Sequence, residues 1–156
     1  MSDKTEQLAS QFEEANNDLL TLISGLSDEQ WKKACPDEGW TVGVTAHHVA
    51  ESLGTLAGLV QGVAAGAPVP PLTMDMLNEG NAEHAVRAVG VTRDETADLL
   101  RGNISTGAAA IRGLTDEQLE KKASLPMGEM TAAQIVEMIM TGHTQMHIGG
   151  IKAAAE

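Results

Sequence analysis

Residues 25–30 read Gly-Leu-Ser-Asp-Glu-Gln, and residues 113–118 read Gly-Leu-Thr-Asp-Glu-Gln. In each copy a hydroxyl stands three residues before a glutamine. This is a capping box, in which side chains reciprocally satisfy the free backbone donors of a helix start. Each copy follows a long segment of helical periodicity, and each precedes a loop and then a further long segment opened by threonine. Before the first copy, Leu8, Phe12, Ala15, Leu19, Leu22 and Ile23 recur at threes and fours, which predicts a helix from about residue 3 to 24. After it come a short turn carrying Trp31, a loop over Cys35-Pro36-Asp37-Glu38-Gly39, and Thr41 as the N-cap of a helix running to roughly Ala65. Pro68-Val69-Pro70-Pro71 ends that helix.

A weaker helical segment spans about Met74 to Val89. Thr92-Arg93-Asp94-Glu95 then opens a helix through Leu99, Leu100, Ile104 and Ile111. Beyond the second copy, Leu125-Pro126-Met127-Gly128 reads as a loop and Thr131 caps a last helix to the C-terminus. Two helix–turn–loop–helix halves predict an all-α fold, a four-helix bundle with pseudo-two-fold internal symmetry.

Composition agrees. A length of 156 residues predicts a single domain spanning 1–156. Trp31, Trp40 and Phe12 are the only aromatics beside eight methionines, so the core must be aliphatic, which favours helices over a sandwich or barrel. The 22 acidic residues against 10 basic ones give a net charge of −12, which repels phosphate backbones and anionic lipid and argues against nucleic-acid and membrane partners. Cys35 is alone and cannot form an internal disulfide, and the first ten residues lack the apolar run of a signal peptide. The most apolar window, Leu53 to Ala64, has 12 residues including Gln61, too few to cross a bilayer. A cytoplasmic protein acting on a small molecule is the expectation.

The five histidines carry the chemistry. On a helical projection of the last helix, Ala132, Ile135, Val136, Ile139, Met140 and Met146 share one face, while Thr141 and Thr144 fall on the other. His143 and His147 sit one turn apart in the middle of the apolar face. Two readings fit: buried histidines satisfied by backbone or carboxylate, or two ligands to one metal ion, as i, i+4 spacing allows. On the second long helix, capped by Thr41, Val42, Val49, Leu53, Leu56, Val60 and Val63 define the core face; His48 flanks it and His47 points away beside Glu51. If these two helices are neighbours, His48, His143 and His147 meet as three neutral imidazoles. Three protein ligands would leave a divalent cation open positions, the catalytic rather than the structural kind of site.

Gly39-Trp40-Thr41-Val42 with Ala46-His47-His48-Val49, and later Gly142-His143-Thr144-Gln145-Met146-His147-Ile148, resemble the DinB superfamily of damage-inducible-type proteins. It includes thiol-dependent S-transferases and mycothiol-dependent maleylpyruvate isomerases. The resemblance implies a four-helix bundle with an open metal site, usually zinc or nickel, built from one histidine of the second long helix and a later His-x-x-x-His pair. Alignment on the Gly-Trp-Thr-Val phrase places His48 in the first of those positions. The isomerase branch carries a glutamate where this chain has His143, so the resemblance implies the S-transferase-like branch, with a low-molecular-weight thiol as co-substrate. Metal-dependent hydrolysis or isomerisation in the same site is the alternative, and a non-catalytic, stress-associated metal-binding protein is a third.

Other residues carry weaker signals. Cys35 reads as a bystander thiol. Glu51 reads as a solvated carboxylate with a lesser case as a base or ligand-orienting group, and His84 as a surface or supporting polar residue. Gly54, Gly58 and Gly62 continue Ala46 and Ala50 in a stripe of small residues that admits a close neighbour, from this chain or from the second subunit of a homodimer. The methionines read as core fillers, Trp40 as an anchor for a helix start and Trp31 as a cover for the bundle end.

Overall fold

The computed structural model describes residues 2–156. Helix α1 (Asp3–Ser24) opens on Ser2, whose hydroxyl accepts the Thr5 N–H, and buries Leu8, Phe12, Ala15, Leu19 and Ile23. Its first-turn Asp3 and Glu6 suit the positive end of the helix dipole. A single turn, α2 (Asp28–Trp31), follows. Then come α3 (Val42–Ala64), α4 (Met74–Arg87), α5 (Arg93–Arg112) and a second single turn, α6 (Asp116–Leu119). Strands β1 (Lys122–Leu125) and β2 (Gly128–Thr131) form an antiparallel hairpin. The last helix is built in three segments: α7 (Ala132–Gln134), a π-helical stretch (Ile135–Thr141) and α8 (Gly142–Ala155).

The two copies of the capping phrase do the same structural work. Capping boxes Ser27/Gln30 and Thr115/Gln118 open α2 and α6, and Trp31 and Leu119, at the ends of those turns, are both buried. Past each turn the chain is tied back by the same kind of bond: Val42 N–H donates to the Lys33 carbonyl and Ala132 N–H to the Lys121 carbonyl, both at 2.8 Å. The long helix that follows starts at that point in each half. Helix α4 has no counterpart in the second half. Helix α3 packs on α5 and α8, and α1 on α5 and the π-helical stretch, so four long helices enclose the aliphatic core. Among the described residues, no helix is long and apolar enough to cross a membrane.

Close packing is set by glycine at two positions. A Cβ on Gly107 of α5 would stand 2.5 Å from the Phe12 ring of α1, and one on Gly43 of α3 would stand 2.6 Å from the Trp31 indole. Trp31 is held there by donating its indole N–H to the Val91 carbonyl at 3.0 Å. In the glycine stripe of α3, Gly54 faces Asn103 of α5 in the same chain, whereas Gly58 and Gly62 face nothing within 4 Å.

Two local expectations need correction. The expected loop at Leu125–Gly128 is the tip of the hairpin, with Pro126 and Met127 at its turn and Leu125 paired to Gly128. Strands of four residues are too short to show alternation in a sequence. The last helix also does not keep a uniform 100° per residue. Its π-helical stretch widens the turn and slips the buried stripe by about one residue. Met146 is therefore exposed, while Thr141 and Thr144 are buried. Thr144 donates to the Asn16 side-chain oxygen at 2.8 Å, and the Asn16 amide donates to the Phe12 and Met140 carbonyls at 2.9 and 3.4 Å. Asn16 of α1 is thus a fully buried amide bonded to the wide turn.

The Phe12 contact makes a paired test. Gly107→Ala overpacks the core and is expected to lower unfolding free energy by about 1–3 kcal/mol. Gly102→Ala, in the same helix with open space around it, is expected to raise it by up to ~1 kcal/mol. Urea titration of both variants reads the difference.

Candidate metal centre

His48 lies in the second turn of α3, on a stretch where Val42, Ala46, Val49, Ala50 and Leu53 are all buried. His143 and His147 lie one turn apart on α8, which packs against α3. His147 Nε2 is 3.0 Å from His143 Nε2, and His48 Nε2 is 3.4 Å from His143 Nε2. The three nitrogens fall within 4.8 Å of one another. His48 and His147 are buried and His143 is partly exposed, so the trio opens to solvent on the side of His143. Trp40, just before α3, sets its ring edge-on to His48 at 5.4 Å between centroids.

Burial pushes His48 down to about 3 and His143 down to about 4, with the neighbouring imidazoles adding to the effect. Both rings are therefore neutral near pH 7 and each keeps a lone pair. His147 is oriented from behind. Its Nδ1 lies 2.8 Å from Glu38 Oε1, in the loop between α2 and α3, so Nδ1 donates to the carboxylate and Nε2 is turned toward the other two rings. The Glu38 side chain is 14% exposed, and Gly150 on α8 makes room for it: a Cβ there would stand 3.3 Å from both carboxylate oxygens.

This arrangement fits a cation better than it fits protons. A proton on His143 Nε2 can be donated to His147 Nε2, but His143 then has no lone pair for His48. One positive ion satisfies all three nitrogens. Imidazole nitrogens at ~2.0–2.1 Å from a divalent cation, at tetrahedral to right angles, stand about 3.0–3.4 Å apart, which matches the spacing of His143 from each of the other two. The cluster can hold a metal ion.

The remaining candidates fall elsewhere. His47 points away from the trio, as its position on α3 suggested. Glu51 also lies outside it, with Oε2 3.4 Å from His84 Nε2. His84, expected as a surface or supporting residue, is only 4% exposed, because α4 lays it against α3, stacked on His47 at 5.0 Å. Cys35 is buried beside Thr45, its Sγ 3.5 Å from the hydroxyl, and burial raises the thiol pKa; both make it unreactive. Glu38 was not legible as a site residue: it is one of 22 acidic residues and sits in a loop with no spacing relation to the histidines.

Because Glu38 positions His147 without joining the trio, Glu38→Gln is expected to weaken zinc binding by about 10–100-fold. Competition against a chromophoric chelator measures this, with circular dichroism confirming an unchanged fold.

Among curated proteins, no sequence matches this chain. Two solved structures are similar in fold. One is the mycothiol-dependent maleylpyruvate isomerase, with a TM-score of 0.75 at 15% identity; the match covers 97% of this chain but only 63% of that protein's length. The other is YfiT from Bacillus subtilis, described as a probable metal-dependent hydrolase with an unusual four-helix bundle topology. It has a TM-score of 0.79 at 19% identity, over 99% of this chain and 87% of that one. The family pattern of the DinB superfamily matches residues 11–151. With nine-tenths of its length inside that match, the chain belongs to the DinB superfamily.

Proposed function

We propose that this chain is a metal-dependent S-transferase that activates a low-molecular-weight thiol for attack on an electrophile, with His48, His143 and His147 as ligands of zinc or nickel. The observation that carries this reading is a set of three converging Nε2 atoms with no carboxylate among them. A divalent cation held by neutral ligands keeps its full charge, and so supplies the strongest pull available to such a site on the proton of a thiol or water. At neutral pH a free thiol of pKa about 8.5 is only ~3% thiolate, so this pull is worth up to about 30-fold in nucleophile concentration.

The protein's own groups then act by placement. Glu38 fixes the tautomer and direction of His147. Trp40 packs its ring edge-on to His48 and limits the directions that ring can take. His143, the partly exposed member, borders the side from which a small thiol and its electrophile would approach. Glu51 is not given the role of base here, since it faces His84. The acidic surface and the buried, unreactive Cys35 support a cytoplasmic setting in which the nucleophile comes from a diffusible thiol.

Likeness to YfiT over most of that chain's length supports a second reading, hydrolysis of an ester or amide by the same three-histidine site. The two readings part on thiol dependence. Metal-loaded protein with a panel of small thiols is expected to consume chlorodinitrobenzene or an epoxide only when thiol is present. His143→Ala is expected to lose up to about 30-fold of that rate. Metal-dependent cleavage of esters or amides, with no turnover of any thiol, would replace S-transfer by hydrolysis.

A further inference from the structure

Beside the first trio, α3 and α4 bring together a second one, outside the site proposed for S-transfer. His47 and Glu51 are four residues apart on one face of α3, and His84 reaches them from α4. His47 Nδ1 lies 2.8 Å from His84 Nε2, which lies 3.4 Å from Glu51 Oε2. The three ligand atoms fall within 4.8 Å of one another. Glu51 Oε1 is 3.5 Å from the Arg87 guanidinium, which leaves Oε2 to face the histidines.

We propose that His47, Glu51 and His84 form a second site for a first-row divalent transition-metal ion, separate from the one at His48, His143 and His147. Two imidazoles and one carboxylate are a donor set suited to zinc, nickel, cobalt or ferrous iron, and they leave the ion open positions. The spacings of His84 from His47 and from Glu51 lie close to the ~3.0–3.4 Å expected of ligands sharing one ion. The two trios have no ligand in common, although the His84 and His48 rings are 5.7 Å apart. They are separate because consecutive residues of α3 project about 100° apart: His48 turns to α8 and His47 to α4.

Burial supports the assignment. The His84 side chain is 5% exposed, and its Nδ1 is buried with no protein partner, so Nε2 alone ties the ring to polar groups. Glu51, 43% exposed, leaves the trio open to an ion from solvent. The ion would clamp α4 onto α3. A proton on His84 Nε2 shared between His47 and Glu51 would give similar distances, and the experiment separates proton from metal.

The test is zinc stoichiometry. Chelator-stripped full-length protein is dialysed against buffered zinc and its metal content measured by mass spectrometry. Wild type is expected to take up about two ions per chain, and both His143→Ala and the double variant His47→Ala/Glu51→Gln about one. The double variant changes half-buried and exposed positions, so its fold is readily retained and is checked by circular dichroism. Zinc is also expected to slow hydrogen exchange across residues 74–87 in wild type and in His143→Ala, but not in the double variant. One ion in wild type that His143→Ala abolishes would overturn the proposal and leave a proton-bridged cluster. Two ions persisting in the double variant would overturn it as well. A single ion that survives His143→Ala and is lost in the double variant would uphold it, while removing the basis of the S-transfer reading.

Discussion

Three imidazole nitrogens that face one another inside a helix bundle cannot all be satisfied by protons, and much of this structure is arranged around that constraint. Burying a polar ring is unfavourable unless its nitrogens find partners. At His48, His143 and His147 the Nε2 atoms find only each other, at hydrogen-bond spacing. The fold accepts this because two of the rings are held from outside the trio. Glu38 takes the far nitrogen of His147, Trp40 lies edge-on to His48, and α3 and α8 are locked by the aliphatic core below. The result is a preorganised set of lone pairs, the condition under which a cation binds without the protein having to rearrange.

The π-helical stretch belongs to the same arrangement. An α-helix from Thr131 onward would carry Met146 inward and Thr144 outward. One wide turn ahead of His143 exchanges them, so that Thr144 bonds to buried Asn16. Asn16 also donates to the Met140 carbonyl, within the wide turn, where regular helical bonding is disturbed. A polar anchor between α1 and the last helix thus lies one residue from the histidine pair, and it sets the rotation at which α8 presents that pair to α3.

Helix α4 breaks the internal symmetry. The two halves share capped turns, tie-back bonds and long helices, yet an extra helix, α4, follows the first half, between α3 and α5, with no counterpart after the second. That helix covers the side of α3 where His47 and Glu51 project and adds a buried histidine to them. The asymmetry concentrates nitrogen donors on one end of α3, where consecutive histidines serve two different neighbours.

The long helices, their caps and the bundle were legible in the sequence because they rest on local physics: apolar spacing near 3.6 residues, and hydroxyls three residues before Glu or Gln, as at Thr92 and Glu95. The meeting of His48 with His143 and His147 was legible in part: projection put the later pair on the apolar face and His48 at the flank of its own, and the resemblance joined them. Glu38, Asn16 and His84 were not. Each is a polar residue whose partner lies far along the chain, 109 residues away for Glu38 and 128 for the Asn16–Thr144 bond. No local pattern encodes such pairings. The sequence by itself determined which faces are apolar and where helices begin. The tertiary structure alone decided which buried polar groups meet, because that depends on helix rotation and docking, and a single wide turn is enough to change both.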